Sequence, residues 1–126
     1  MFLPYQDATE TGGAGDRSVT AQRATIDQLA RLSCRFLPRQ APNGYLVRRI
    51  VVQGPDHSEA AVYVGDPSDL TMADVTRNGA GDVADYAQPL YVPPALDLWV
   101  IWTDRTTGAN YVGGPATARI ETEDLT

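Results

Sequence analysis

Residues 96–103 read LDLWVIWT, and the alternation in this short stretch decides the fold. Leu96, Leu98, Val100 and Trp102 fall on one side of an extended chain, with Asp97, Trp99, Ile101 and Thr103 on the other. A period of two is the mark of a strand. One side is wholly apolar and the other half apolar, so this strand belongs in the middle of a sheet.

The flanking sequence follows the same rule. Asp104 to Gly108 (DRTTG) is turn chemistry, and Ala116 to Glu123 alternates again, with Ala116, Ala118 and Ile120 inward and Thr117, Arg119 and Glu121 toward water. Upstream, the turn residues 41–44 (APNG) lead into the β-branched run YLVRRIVVQ at 45–53, whose better core face is Leu46, Arg48, Ile50 and Val52. Gly54-Pro55-Asp56 breaks that strand and Ala60 to Gly65 resumes it, which predicts an antiparallel hairpin. The Asp- and Gly-rich stretch TRNGAGDVADYAQP, 76–89, reads as a long loop.

The N-terminal third carries a weaker pattern. In Ser18 to Leu32 the residues Val19, Ile26, Leu29, Ala30 and Leu32 fall near helical spacing behind an Asp16 or Ser18 N-cap, which predicts a short helix. Residues 18–26 (SVTAQRATI) also fit an edge strand, and Ser33 to Arg39 alternates loosely as a strand. Residues 1–17 read as an extended arm: an apolar tip of Met1, Phe2, Leu3 and Tyr5, then a Gly- and Thr-rich stretch without periodicity. The expectation is an all-β domain over 18–126, a β-sandwich or jelly roll, with an N-terminal arm over 1–17 and one short helix.

Composition narrows the function classes. A chain of 126 residues suits one domain with a real core. Sixteen Asp and Glu against ten Lys and Arg leave a net charge of -6, which disfavours contact with phosphate backbones, so no nucleic-acid partner is expected. No apolar run approaches the ~20 residues that span a bilayer, and the start MFLPYQDATE lacks a signal-peptide pattern, so neither a membrane nor an export route is expected. Cys34 is the single cysteine, and an apolar filler role fits it better than a nucleophile partnered by His57, which sits in the turn-like GPDHSE.

Three constellations carry candidate chemistry. Asp66, Asp69, Asp74, Asp82 and Asp85 have the oxygen ligands that Ca²⁺ needs, yet the spacing matches no known calcium loop, and local turn-forming hydrogen bonds explain them better. A glycosidase carboxylate pair lacks any sign of a cleft. The aromatic residues Tyr86, Tyr91, Trp99, Trp102 and Tyr111 suit either a sugar-stacking platform or, more readily, the core and subunit interfaces. No nucleotide, hydrolase or zinc-protease motif is present, so no enzymatic activity and no cofactor are expected.

The order AVYVGDPSDL (61–70, with Ala60 before it), DVTRNGAGDVADYAQPLYVPPALDLWVIWTD (74–104) and then TARIE (117–121) resembles a group of small virion proteins of tailed phages infecting actinobacteria. That resemblance covers Tyr45 to Glu121. It implies a β-sandwich component, a minor tail or virion-associated protein, that is located in the virion and oligomeric among other virion proteins. A capsid decoration protein is the near variant. A carbohydrate-binding module reading a host surface glycan through Tyr86, Tyr91, Tyr111 and the Asp82/Asp85 stretch is the alternative of another class. The interface candidates are Met1, Phe2, Leu3, Tyr5, Tyr86, Tyr91, Trp99 and Tyr111.

Overall fold

The computed structural model describes residues 10–11, 16–36, 43–66, 69–76 and 78–125. The apolar tip Met1, Phe2, Leu3 and Tyr5 lies outside these. Ten strands follow in order: β1 (Glu10–Thr11), β2 (Asp16–Arg23), β3 (Thr25–Ile26), β4 (Leu32–Phe36), β5 (Tyr45–Gln53), β6 (Ser58–Asp66), β7 (Asp69–Thr76), β8 (Gly81–Val92), β9 (Asp97–Asp104) and β10 (Thr117–Asp124). They form two antiparallel sheets, β1-β2-β10-β5-β8 and β3-β4-β9-β6-β7.

The winding is that of a jelly roll. Setting aside the two-residue β1 and β3, the first long strand pairs with the last and so on inward: β2 with β10, β4 with β9, β5 with β8, β6 with β7. Successive pairs fall in alternate sheets, and β10·β5 and β9·β6 stitch them together. Two such interlocked sheets define the architecture.

The strand LDLWVIWT sits at the centre of the second sheet as its alternation requires, and residues 97–102 are buried on both faces. Between the sheets lie Val47, Ile50, Val52, Val62, Leu98, Val100, Trp102 and Ile120, each at most 2% exposed. The space between the layers is therefore filled with hydrocarbon. Trp102 donates its indole N–H to the Gly79 carbonyl at 3.0 Å, which satisfies the one polar atom such a ring brings into a core. Ala118 and Ile120 of β10 face inward as expected. Cys34 is buried as filler.

Four expectations are corrected. The helix over Ser18 to Leu32 is absent: β2 runs along β10 from Arg17 to Arg23, so the strand alternative holds over 18–23, while Thr25 and Ile26 form β3 in the other sheet. The inward face of β2 is polar, with the Ser18 hydroxyl sharing a 3.0 Å hydrogen bond with Thr122, which is why apolar periodicity missed it. The expected hairpin of 45–53 with 58–66 is an arch instead, since β5 and β6 belong to different sheets. The expected loop over 76–89 is mostly strand: β7 ends at Thr76, a turn covers 78–80, and β8 runs on from Gly81.

The fourth correction concerns the core face of β5. Tyr45 and Val47 face inward, and then Ile50 and Val52 do, because the pairing register skips Arg48 against β10. A bulge adds one residue to one strand and so reverses which side the following side chains take. Arg48 is thereby turned outward, where its Nε hydrogen-bonds Glu123 at 2.7 Å. On the other flank of β5 the register jumps from Val47↔Leu90 to Arg49↔Asp85, so Tyr86 to Pro89 bulge out of β8. Pro89 has no N–H to donate, and a bulge on an edge strand is where a strand tolerates it.

Candidate functional site

A cleft of the described surface lies on the outer face of the second sheet, over β3, β4 and β9. It has a volume of about 530 Å³, and its walls include Ile26, Asp27, Leu29, Arg31, Arg35 and Trp99.

One carboxylate organises the β3–β4 hairpin. Asp27 Oδ1 accepts the backbone N–H groups of Leu29 and Arg31 at 2.9 and 3.1 Å, and Oδ2 accepts Arg31 Nε at 2.9 Å and the Ser33 hydroxyl at 3.1 Å. Ala30 takes the left-handed conformation, φ 57°, that closes a three-residue hairpin loop. Burial works to raise the Asp27 carboxyl, but the backbone hydrogen bonds from Arg31 and Leu29, with those from the Arg31 guanidinium and Ser33, outweigh it and hold the group below its ordinary value. The stabilisation this implies is complete above an unfolded value of 3.8 and is lost as pH falls through the lower folded value.

The second anchor is Asp97, 3% exposed, whose carboxylate takes Arg35 Nε at 2.5 Å. The two arginines then lie over the same ring: the Arg35 and Arg31 guanidiniums stand 5.2 and 5.7 Å from the Trp99 centroid. Both distances are within cation–π range. Trp99 itself is 4% exposed, between Arg35 on β4 and Tyr63 on β6. Its indole Nε1 is buried and has no acceptor. An unmet buried donor costs about 1–3 kcal/mol, so it calls for a reason.

The electrostatics of the cleft are specific. Two guanidiniums balance two carboxylates, and each arginine is anchored through its Nε edge. Both Asp27 oxygens are taken. The polar groups left on its walls include the terminal amino groups of the two arginines, which donate, and the Thr25 hydroxyl and Gln28 amide, which both donate and accept. Beside them stand the apolar side chains of Ile26 and Leu29, 44% and 63% exposed.

The structure scatters the aromatic residues singled out from the sequence. Tyr86 packs against the core and donates its hydroxyl to Asp74 Oδ2 at 2.6 Å. Burial, then the hydrogen bond and charge of Asp74, push that phenol well above its ordinary value. Tyr91 is exposed on the same strand and bonds the Asn43 carbonyl at 3.1 Å. Tyr111, in the β9–β10 connection, packs on the core and bonds the Asp56 carbonyl at 2.9 Å. Of these residues and Trp99, only Trp99 lines the cleft over the second sheet.

Three of the five acidic candidates take local partners. Asp82 accepts the Val83 N–H at 2.8 Å, Asp85 lies 3.4 Å from Arg49 Nε, and Asp74 is held by Tyr86. Among the described residues no three metal-ligating side chains converge. Cys34 and His57 are not partners: the thiol Sγ is 3.5 Å from the Gln22 carbonyl, whereas His57 Nδ1 is 3.4 Å from Arg105.

The cleft was missed in the sequence because its residues come from a hairpin read as helix. A signal did exist. Arg35 and Asp97 are single charges of opposite sign inside otherwise apolar strands, LSCRF and DLWVIW, and a charge in such a place needs a partner. No protein-family model matches this chain, and no curated protein matches its sequence.

Proposed function

We propose that this chain is a non-enzymatic structural component of a tailed-phage particle, carried on the tail or tail tip and assembled there in several copies with other virion proteins. The observation that carries the reading is the filled interior. With the space between the sheets occupied by Trp102, Ile50, Leu98 and their neighbours, the activity of the molecule lies on its surface.

That surface suits assembly. The twelve-residue β8 closes one side of the first sheet as an edge strand, and β7 closes the same side of the second. Exposed edges template contact with other chains, and Met72, Val83 and Tyr91 there are 53%, 45% and 49% exposed. The segment order from Tyr45 to Glu121 supports the phage assignment by its resemblance to small virion proteins. Jelly rolls host viral capsid and lectin domains, an analogy of architecture only.

The test is fractionation of purified particles into heads and tails, with the chain followed by mass spectrometry. Recovery with tails supports the proposal. Recovery with heads replaces it by the capsid decoration variant, and absence from particles refutes both.

A further inference from the structure

We infer that the outer edge of β2 is the binding site for residues 1–9 of this same chain, which continue β1 backwards along it and bring the apolar tip Met1 to Leu3 over Ile26 and Leu29. The inference concerns the folded chain by itself and does not depend on the assembly reading above.

The register of β1 sets the path. Glu10 and Thr11 pair antiparallel with Arg17 and Asp16, so each step back from Glu10 moves one residue forward along β2. Residues 12–15, GGAG, have the composition of a tight hairpin loop. On that register Ala8 falls opposite Val19, Gln6 opposite Ala21 and Pro4 opposite Arg23.

These are the positions where β2 has bonds to give. The Ala24 N–H donates to the Ala116 carbonyl at 2.8 Å, and β2 pairs with β10 in unbroken register from Arg17 to Arg23, so by the alternation of an antiparallel ladder the even-numbered residues bond β10. The N–H and C=O groups of Val19, Ala21 and Arg23 point the other way, where β1 covers only Asp16 and Arg17 among the described strands. An open edge of that length accepts a strand, and a segment tethered to it through a short loop has the highest effective concentration.

The tip has its own place. Pro4 has no N–H to give Arg23, so it ends the ladder and leaves Met1, Phe2 and Leu3 beside Ala24 to Ile26, where the chain crosses from the first sheet to the second. Ile26 and Leu29 are 44% and 63% exposed there, and apolar side chains laid on them leave water together with them. The charges nearby are already matched, Arg31 by Asp27 and Arg35 by Asp97, so the site suits an uncharged occupant, and residues 1–5 carry no charged side chain.

The experiment follows amide hydrogen exchange and nitroxide broadening by NMR in the ¹⁵N-labelled full chain. The Ala21 amide is expected to exchange at least about tenfold more slowly than in Gln6→Pro, which removes the N–H that faces Ala21. The Gln22 and Ala24 amides, held by β10, are expected to stay protected in both proteins and so report an intact sheet. A nitroxide on Leu3→Cys, with the native Cys34 buried, is expected to broaden the Ile26 and Leu29 signals of its own chain. It is expected to leave them sharp when it is carried by ¹⁴N chains mixed in at equal concentration. Equal exchange of Ala21 in the parent and Gln6→Pro, or no broadening at Ile26 and Leu29, overturns the inference. Broadening in the mixed sample shows that the segment comes from a second copy and overturns the assignment to the same chain.

Discussion

Replacing Gly79 by Ala tests how tightly the core is closed around Trp102. Gly79 sits in the turn between β7 and β8, donates its N–H to the Ser58 carbonyl at 2.7 Å, and accepts the Trp102 indole through its own carbonyl. Its φ is not in the left-handed region, so a methyl group there causes no backbone strain; the effect is steric. The added carbon overlaps Ser58 Oγ and lies 2.9 Å from Trp102 Cδ1. Rotating the Ser58 hydroxyl away breaks its 2.7 Å bond to the Pro55 carbonyl, at a cost of about 1 kcal/mol. Displacing the buried indole adds about 1–3 kcal/mol of overpacking. The reduced freedom of the unfolded chain returns about 0.4–1 kcal/mol, for a net loss of about 1–3 kcal/mol. For a domain of this size that lowers Tm by roughly 4–15 °C.

The assay is urea denaturation followed by tryptophan fluorescence and near-UV circular dichroism. Gly113→Ala is the control, because nothing lies within 4 Å of the carbon it adds, and it is expected to stay within about 0.5 kcal/mol of the parent. Ser58→Ala in the Gly79→Ala background removes one of the two colliding atoms, so the pair should show a coupling of about 1 kcal/mol in a double-mutant cycle. A Gly79→Ala protein as stable as the control would refute the argument, as would the absence of coupling.

Two further outcomes follow from buried titratable groups. Tyr86→Phe leaves the half-buried Asp74 carboxylate without its phenol donor and should cost about 1 kcal/mol. Because burial, and then Asp74, raise the phenol, its contribution is complete below the unfolded value of 10.0 and is lost as pH rises above it; the parent should lose more stability than the variant in that alkaline range, and parallel curves would count against the contact. Burial also pushes the Cys34 thiol up to about 12, opposed by a hydrogen bond from the Ala118 backbone, so its contribution holds below 9.0 and fades between there and about 12. At about pH 8 a colorimetric thiol reagent should find no reactive sulfur in the folded chain and one per chain in denaturant; rapid labelling of the native protein would show Cys34 to be open.

The contrast between β9 and β2 shows which part of the fold was legible. Central strands must be apolar on the faces they bury, and LDLWVIWT displays this directly. The inward face of β2 is small and polar, satisfied by Ser18 with Thr122, so its strand character lies in a partner 104 residues away. The β5–β6 arch was hidden for a related reason. Gly54-Pro55-Asp56 states that the chain reverses, but the same turn residues serve a hairpin within one sheet or an arch between two. That choice is made by whether β10 and β8, rather than β6, take the edges of β5. Likewise, the Arg48 bulge has no local signature; Arg48-Arg49 becomes a phase change only when β10 pairs Arg49 with Glu121 and Val47 with Thr122.

The cleft over Trp99 combines both kinds of information. Its loop is encoded locally, since Asp27 supplies acceptors for the backbone at Leu29 and Arg31 whatever the rest of the chain does. Its floor is not, since Arg35 meets Asp97 across 62 positions of sequence and both reach Trp99 only after β4 has paired with β9. Apolar strands that tolerate an arginine and an aspartate at the cost of desolvating the aspartate make sense when the pair holds something else in place. Here it holds a guanidinium over a buried indole whose N–H has no acceptor, on the outer face of the central strand β9.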